Sequence, residues 1–329
     1  MVISNRLVFA ILVIVSVYST PAWPKPAACE PAAQRIALDI GHDRTRPGAT
    51  SARGINEFEY NLALGRDVAK ALHGAGFTAA FLIGESGAPM KLAQRTQIAR
   101  ERGAAIFISL HHDSAQPVYF SPWTVNGRTL RYSDNFHGYS IFVSTTAGRS
   151  KPGLSAAKLL GQSLKARGLT PTLHHAEPIH GENRTLLDRD LGIYQFNELA
   201  VLRTATMPAL LLESAVIVNR AEEQAIQSGA YHPRVVAALV EMISRFCGMG
   251  TNASSTPVPM ERSLDFSSSL RRRFQPRQDF VDTPSFHPQD LKPPAREDDA
   301  VAFGWYAPQQ RQQQTSQSVI GSLARQIGQ

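Results

Sequence analysis

Two histidines and two glutamates, spread from position 42 to position 213, carry the residue types of a metal-dependent hydrolytic site. They are His42, Glu57, His111 and Glu213. Two imidazoles and one carboxylate are the usual protein ligands of a catalytic zinc ion, and they leave one coordination position for water. A second carboxylate nearby can then accept the proton of that water. The four residues are therefore candidates for one site that holds a single Zn²⁺ ion.

Glu57 and His111 each have a neighbour of similar type that competes for the same role. Glu57 lies in the first turn of a predicted helix, where a carboxylate also suits the helix dipole, and Glu59 follows two residues later. His111 is followed by His112 at the end of a predicted strand. Because side chains alternate along a strand, only one of these histidines can face the site if the strand continues.

His42 and Glu213 lie at the ends of predicted strands. Gly41 would let the chain turn sharply so that His42 projects over the sheet edge, and Asp39 is a candidate to orient a ligand histidine. Glu213 follows an apolar run, where burial would raise its pKa toward the range of a general base or acid. The alternative for Glu213 is a rim carboxylate that pairs with an arginine such as Arg95.

Strand and helix patterns alternate from position 35 to position 247 and place each candidate at the end of an element. The predicted strands are 35–40, 77–83, 105–110, 139–144 and 208–212, and the predicted helices are 56–72, 92–102, 154–167 and 232–246. This alternation predicts a single α/β domain, with a mostly parallel twisted sheet flanked by helices on both faces. Ligands of such sheets gather beyond the carboxyl ends of the strands.

Two long segments interrupt the alternation, and each has the composition of a binding loop or a lid. Segment 115–138 is polar and aromatic. Segment 170–197 is dense in side chains that can bind metals, namely His174, His175, Glu177, His180 and Glu182.

The ends of the chain differ in composition from residues 35–247. Residues 1–22 have the plan of a secretory signal peptide, residues 23–34 would be a linker, and residues 248–329 form a Ser/Pro/Gln/Arg-rich tail predicted to be disordered. Export would place Cys29 and Cys247 in an oxidising compartment, where a disulfide could join the two ends of the domain. Neither cysteine has a partner at zinc-finger spacing.

The net charge of +7 and the pI of about 9.6 raise the question of an anionic partner. For an exported protein, an envelope polymer or a membrane surface is a better candidate than a nucleic acid. The alternative is that the charge serves solubility alone. No integral membrane span is expected once the signal peptide has been cleaved.

The motifs around the four candidates resemble the zinc-dependent N-acetylmuramoyl-L-alanine amidases of bacterial cell walls. The resemblance covers residues 35–247, and the motifs occur in the family's order. Asp-Ile-Gly-His at 39–42 resembles the family's Asp-Pro-Gly-His, and Glu57 with Asn-Leu at 61–62 matches its helix-starting glutamate. Ser-Leu-His-His-Asp at 109–113 is similar to Ser-Ile-His-Ala-Asn, and Pro-Ala-Leu-Leu-Leu-Glu at 208–213 matches the family's last strand. Leu-x-x-Arg at 92–95 matches a further segment.

This resemblance selects one residue from each competing pair. It implies zinc ligation by His42, Glu57 and His111, with Glu213 as the catalytic acid/base. The bond cut would be the amide between N-acetylmuramic acid and the L-alanine of the peptidoglycan stem peptide, in cell-wall remodelling or daughter-cell separation in the periplasm or outside the cell. Residues expected to contact substrate or support the ligands are Asp39, Arg95, His112 and Asn219.

The sequence departs from the family pattern without losing a ligand or the catalytic glutamate. Ile40 replaces a proline, Asp-Arg at 43–44 replaces two glycines, and His-Asp at 112–113 replaces Ala-Asn. Altered substrate preference would follow from such changes. Two alternatives stay open: a module that binds peptidoglycan without cleaving it, and a zinc peptidase or deacylase of other specificity.

Some members of the family carry an inserted element that covers the site until an activator protein displaces it. Segment 170–190 is a candidate for such a lid, with Glu177 or Glu182 reaching the metal. A solvated polar loop is the competing interpretation.

Overall fold

The computed structural model describes residues 29–146 and 150–248. The predicted signal peptide and all but the first residue of the predicted tail lie outside the described residues.

A seven-stranded sheet forms the centre of the molecule. The strands in chain order are β1 (Ile36–Ile40), β2 (Phe81–Ile83), β3 (Ile106–Asp113), β4 (Ser121–Val125), β5 (Arg128–Tyr132), β6 (Ser140–Val143), β7 (Leu186–Asp188), β8 (Ile193–Gln195) and β9 (Ala209–Val216). The order across the sheet is β2-β1-β3-β9-β6-β8-β7, and β4 and β5 form a separate hairpin. Strands β2, β1, β3 and β9 run parallel, whereas β6 pairs antiparallel with β9 and β7 pairs antiparallel with β8. The predicted mostly parallel sheet is confirmed.

Helices cover both faces of this sheet, as predicted. They are α1 (Glu57–Gly74), α2 (Leu92–Glu101), α3 (Ser150–Ala166), α4 (Ala200–Arg203), α5 (Arg220–Gln227) and α6 (His232–Phe246). Helices α1, α3 and α6 enclose one core with side chains such as Leu38 of β1, while α2 and α4 enclose a second core with the adjacent Ala37. Every residue of β1 and β3 is buried, because helices shield both faces of a parallel sheet.

Strands β3 and β9 continue past their predicted apolar ends, so the polar candidates lie within the sheet rather than after it. His111 pairs with Glu213 across these two strands, and Asp113 pairs with Val216. One extra residue in β9 therefore forms a bulge beside the polar cluster. Bulges bend a strand and re-aim its side chains, and they are frequent next to active sites.

The predicted strand at 77–83 is wrong in its first half, since only Phe81–Ile83 pairs with β1. The Phe77 N–H donates to the Leu72 carbonyl, and the Ala80 N–H donates to the Phe77 carbonyl. Phe77 is therefore part of the turn after α1, and its buried ring fills the core from there.

The hairpin of β4 and β5 lies in segment 115–138, for which the sequence predicts only a loop. Its turn is formed by Asn126 and Gly127, with φ of 50° and 74°. Asn-Gly is the preferred pair for a two-residue hairpin turn, so these two residues were the signal for it.

Cys29 and Cys247 form a disulfide, with their Cα atoms 5.4 Å apart. The bond joins the segment before β1 to the end of α6, as the sequence suggests. A cross-link between residues so distant in sequence stabilises the fold by restricting the unfolded chain, typically by about 2–4 kcal/mol. Among the described residues, no helix is long and apolar enough to cross a membrane.

Candidate metal centre

Three side chains with metal-binding atoms converge at the carboxyl ends of β1 and β3. The Nε2 atom of His42 lies 2.9 Å from Oε2 of Glu57, and Nδ1 of His111 lies 2.9 Å from Oε1 of the same carboxylate. The three ligand atoms all fall within 4.8 Å of one another. We call this group the first cluster.

The competing residues of each pair lie elsewhere. Glu59 has a side chain that is 45% exposed, and it pairs with Arg44. His112 points away from the first cluster, where its ring contacts Asn61 and His232 at 2.8 and 3.0 Å. The structure thus brings together the three residues that the family resemblance selects, and the alternation of side chains along β3 separates His111 from His112.

The sharp turn after β1 is located at His42 and not at Gly41. His42 has a φ of 67°, the left-handed region that few residues other than glycine adopt. Gly41 serves a different purpose, because a Cβ atom there would collide with the His111 ring. Gly48, whose φ is 78°, leaves room in the same way for the His42 ring and the Glu57 carboxylate. Backbone that approaches this closely requires glycine.

Backbone and side-chain donors surround the Glu57 carboxylate. Its Oε2 accepts from the Ala49 N–H at 3.0 Å, and its Oε1 accepts from Asn61 Nδ2 at 3.0 Å and the His112 N–H at 3.3 Å. Burial alone would raise the pKa of Glu57. The charge of His42 and the hydrogen bonds of both cluster histidines outweigh burial and hold that pKa well below its usual range. An anionic carboxylate is the form that binds a metal.

Glu213 lies opposite His111 in the sheet and is half-buried. Its Oε2 is buried and makes no hydrogen bond within the described part of the chain. Burial, followed by repulsion from Asp113 and Glu57, raises the pKa of Glu213 well above its usual range. A carboxyl group with a raised pKa beside a metal-type cluster is suited to carry a proton during catalysis.

Arg95 holds the backbone that presents His42. The buried guanidinium pairs with Asp39 at 2.7 Å and donates to the carbonyls of Ile40 and His42, both at 2.5 Å. Ser109 donates to the other oxygen of Asp39 at 2.7 Å. Asp39 therefore acts on His42 through Arg95, and its predicted direct contact with a ligand histidine stays a prediction. Arg95 likewise pairs with Asp39 and not with Glu213.

A family model described as N-acetylmuramoyl-L-alanine amidase matches residues 36–245, which include the whole cluster. The chain belongs to this amidase family. It is 27% identical over 236 residues to the N-acetylmuramoyl-L-alanine amidase AmiC of Neisseria meningitidis, a match that covers 64% of this chain and 52% of that protein. It is 25% identical to AmiA of Escherichia coli, covering 68% of this chain and 80% of that protein. The chain thus spans about half the length of the Neisseria relative.

A solved structure supports the amidase fold. The amidase Ami1 from Mycobacterium smegmatis superposes with a TM-score of 0.53 at 17% identity, covering 67% of this chain and 100% of that chain. The likeness concerns the fold of the amidase domain.

A cavity of about 1170 Å³ opens over the first cluster in this amidase domain. His42, Glu57, His111 and Glu213 all line it. Its other walls include apolar and basic side chains that sequence analysis missed, namely Arg46, Met90, Phe120, Leu130 and Arg131. Leu130 and Arg131 belong to the β4–β5 hairpin, which the Asn-Gly turn could have revealed.

Two of the predicted supporting residues, Asn219 and His112, contact the helices around the cavity, and His112 also binds Asn61, which donates to Glu57. The side-chain oxygen of Asn219 accepts from the N–H groups of Ala221 and Glu222 and so caps α5, and its Nδ2 donates to the Phe136 carbonyl. His112 is buried against the α6 residue His232, and burial holds the pKa of His112 well below its usual range. Both residues stabilise the elements around the cavity.

Glu177 and Glu182 contact neither His42, Glu57 nor His111. Glu177 accepts from the Tyr119 hydroxyl at 2.8 Å, while Glu182 binds His175 at 2.8 Å and Gln116 at 2.7 Å. The two carboxylates are therefore bound by Tyr119, His175 and Gln116 and not by the first cluster. The hypothesis that one of them reaches the metal lacks a supporting contact.

Proposed function

We propose that this protein is a zinc-dependent N-acetylmuramoyl-L-alanine amidase that cleaves the amide between N-acetylmuramic acid and L-alanine in peptidoglycan. The observation that carries the proposal is the placement of Glu213. Glu213 lines a cavity that also contains two imidazoles and an anionic carboxylate, and its buried Oε2 makes no hydrogen bond with any residue that the structure describes. Family membership supports the same conclusion.

The donor set fits a zinc ion. His42 Nε2, His111 Nδ1 and one oxygen of Glu57 would hold it, which matches the two-histidine, one-carboxylate set of catalytic zinc sites. When bound, Zn²⁺ supplies a Lewis acid that polarises the scissile carbonyl and lowers the pKa of water. Arg95 fixes the His42 backbone, and Gly41 and Gly48 let the ligand side chains approach.

Glu213 would move the proton in the reaction. Its carboxylate accepts a proton from the attacking water as the oxygen bonds to the carbonyl carbon. The same carboxyl group then gives the proton to the amide nitrogen as the carbon–nitrogen bond breaks, so that L-alanine leaves as a neutral amine. The raised pKa favours the second transfer, because a weaker acid holds its proton until the leaving group needs it.

The cavity walls suit an amphipathic, anionic substrate. Arg131 can pair with a stem-peptide carboxylate, and Phe120 and Leu130 can pack against apolar portions of the peptide. The net charge of +7 favours an anionic wall polymer, and the disulfide fits a periplasmic or secreted protein. In that compartment the enzyme would serve wall remodelling or daughter-cell separation, under the control of an activator protein if one displaces segment 170–190.

The test is digestion of purified peptidoglycan by the full chain, with added Zn²⁺, with a chelator, and with Glu213→Ala. We expect release of intact stem peptides with L-alanine amino termini, abolished by chelator and reduced at least about 100-fold in Glu213→Ala. Glu59→Ala removes a partly exposed glutamate from the turn of α1 that carries Glu57, and as the control it should retain full activity.

Each negative result of this test indicates a different function for the protein. Peptidoglycan that is bound but not cleaved, by a protein without zinc, would indicate a binding module. Cleavage at other amides would indicate a peptidase or deacylase. Chelator-resistant release would exclude the zinc mechanism altogether.

A further inference from the structure

We propose that Asp113, His174 and His175 form a second metal site, for a divalent transition metal ion that favours imidazole and carboxylate ligands. We call these three residues the second cluster. They share no residue with the first cluster, and their ligand atoms lie within 4.8 Å of one another. An ion bound there would fasten segment 170–190 to strand β3.

The distances in the second cluster suit a metal ion. Oδ2 of Asp113 lies 3.4 Å from Nε2 of His174 and 2.8 Å from Nε2 of His175. Metal–ligand bonds of about 2.0–2.2 Å in a tetrahedral arrangement separate neighbouring ligand atoms by roughly 3.3–3.6 Å. One distance already falls in this range, and the other needs an opening of about half an ångström.

The outer nitrogens of both histidines have partners that would hold the rings in place. Nδ1 of His174 lies 2.8 Å from the Thr172 hydroxyl, and Nδ1 of His175 lies 2.8 Å from Oε2 of Glu182. Metal-binding histidines usually donate their other ring N–H to a carboxylate, a carbonyl or water, which fixes the tautomer and orients the ring. The hydroxyl at Thr172 and the carboxylate of Glu182 fill that role here and leave both Nε2 atoms directed at Asp113.

His174 has an atom that the protein alone does not satisfy. Its side chain is 1% exposed, and its Nε2 makes no hydrogen bond within the described residues, although Asp113 lies 3.4 Å away. If Nδ1 donates its proton to Thr172, the lone pair of Nε2 faces a carboxylate oxygen. A cation between these two atoms would remove that repulsion, whereas a buried polar nitrogen left without a partner is costly.

The position of the second cluster links two parts of the molecule. Asp113 ends β3, two residues after the first-cluster ligand His111. His174 and His175 lie in a short 3-10 turn of segment 170–190. Because that segment is otherwise a long connection, an ion shared with β3 would order it beside the cavity.

The experiment counts metal ions per chain and does not depend on hydrolysis. The full chain is stripped with a chelator, titrated with Zn²⁺ and desalted, and its metal content is then measured by mass spectrometry with calorimetry in parallel. We expect two equivalents for the native chain and one for His174→Ala, with at least a 100-fold weaker affinity at the lost site. The matched control His180→Ala removes an exposed histidine of the same segment and should keep two.

A second variant covers the case in which His174→Ala does not fold. Glu57→Ala removes the carboxylate of the first cluster and leaves the second cluster intact, so it should retain one equivalent of zinc. A native chain that binds one equivalent, a Glu57→Ala chain that binds none, or a folded His174→Ala chain that keeps two would each overturn the proposal. A chain that binds two ions without cleaving peptidoglycan would refute the proposed function alone.

Discussion

The two clusters have the same composition but differ in how their histidines are placed relative to the cavity. Each combines two imidazoles with one carboxylate. In the first cluster, Glu57 offers a different oxygen to each histidine, and all three residues line the cavity. In the second cluster, one oxygen of Asp113 faces both histidines; Asp113 lines the cavity, whereas His174 and His175 do not.

This difference indicates that the same set of ligand types serves a catalytic site in one cluster and a structural site in the other. A catalytic site needs an open coordination position and a nearby proton carrier, and the first cluster has a cavity and Glu213. A structural site needs full enclosure and fixed ligands, and the second cluster has buried rings whose outer nitrogens are bound by Thr172 and Glu182. Composition alone therefore does not identify the catalytic set, whereas the access of both histidines to the cavity does.

The largest expected effect concerns activity. Glu57→Ala should lower peptidoglycan hydrolysis by at least about 1000-fold, equivalent to roughly 4 kcal/mol of transition-state stabilisation, because the first cluster loses its central carboxylate. His174→Ala should lower it by less than about 10-fold, since its ring lies outside the cavity. The rate of stem-peptide release measures both. Equal losses in the two variants would break the distinction between a catalytic and a structural cluster.

The next effect concerns the support of the first cluster. Arg95→Met leaves Asp39 buried without its cation, and removing one partner of a buried pair typically costs about 3–5 kcal/mol of stability. Urea unfolding in the presence of a chelator measures this cost. Arg203→Met, at an exposed position on α4, should change the free energy of unfolding by less than about 0.5 kcal/mol. A similar change in the free energy of unfolding for the two variants would mean that Arg95 does not stabilise the backbone at Ile40 and His42.

A smaller effect tests the second cluster through Glu182, whose carboxylate binds Nδ1 of His175. Glu182→Gln should weaken zinc binding at the second site by about 10–100-fold and leave the first site unchanged, because the carboxylate that orients His175 becomes an amide. Calorimetric titration resolves the two affinities. Glu177→Gln, in the same segment but bound to Tyr119, should leave both affinities as they are. Weakened binding at the first site by Glu182→Gln would show that the clusters are not independent.

The first cluster was predictable because its residues follow family motifs at the ends of apolar strands. The alternation of side chains in β3 then explains why His111 faces Glu57 and His112 does not. The parallel sheet was predictable for a related reason, since strands buried on both faces are continuous apolar runs.

The second cluster could not be assembled from the sequence. The density of histidines and carboxylates in segment 170–190 was visible, but their partner Asp113 lies some sixty positions earlier in β3. Only the fold of the segment against β3 brings these groups together. The cap that Asn219 forms was hidden for a similar reason, because its recognition requires knowledge of the helix that follows.

The smallest effect comes from a third histidine pair, which lies between β3 and α6. His112 and His232 face each other at 3.0 Å, and burial lowers the pKa of His232 to about 3 from 6.5. The folded chain then keeps His232 neutral, whereas the unfolded chain protonates it below pH 6.5. Its contribution to stability is therefore complete above pH 6.5 and is lost as the pH falls toward 3.

Comparing the native chain with His232→Gln isolates this contribution, because both chains carry the same two clusters. In chelator, the native free energy of unfolding should fall by about 1 kcal/mol more than that of the variant between pH 6.5 and pH 5.5. Urea unfolding at the two pH values measures the difference. An equal fall in the free energy of unfolding of the two chains would mean that burial does not lower the pKa of His232 in the folded chain. A difference of the expected sign would show that burial keeps His232 uncharged in the folded chain.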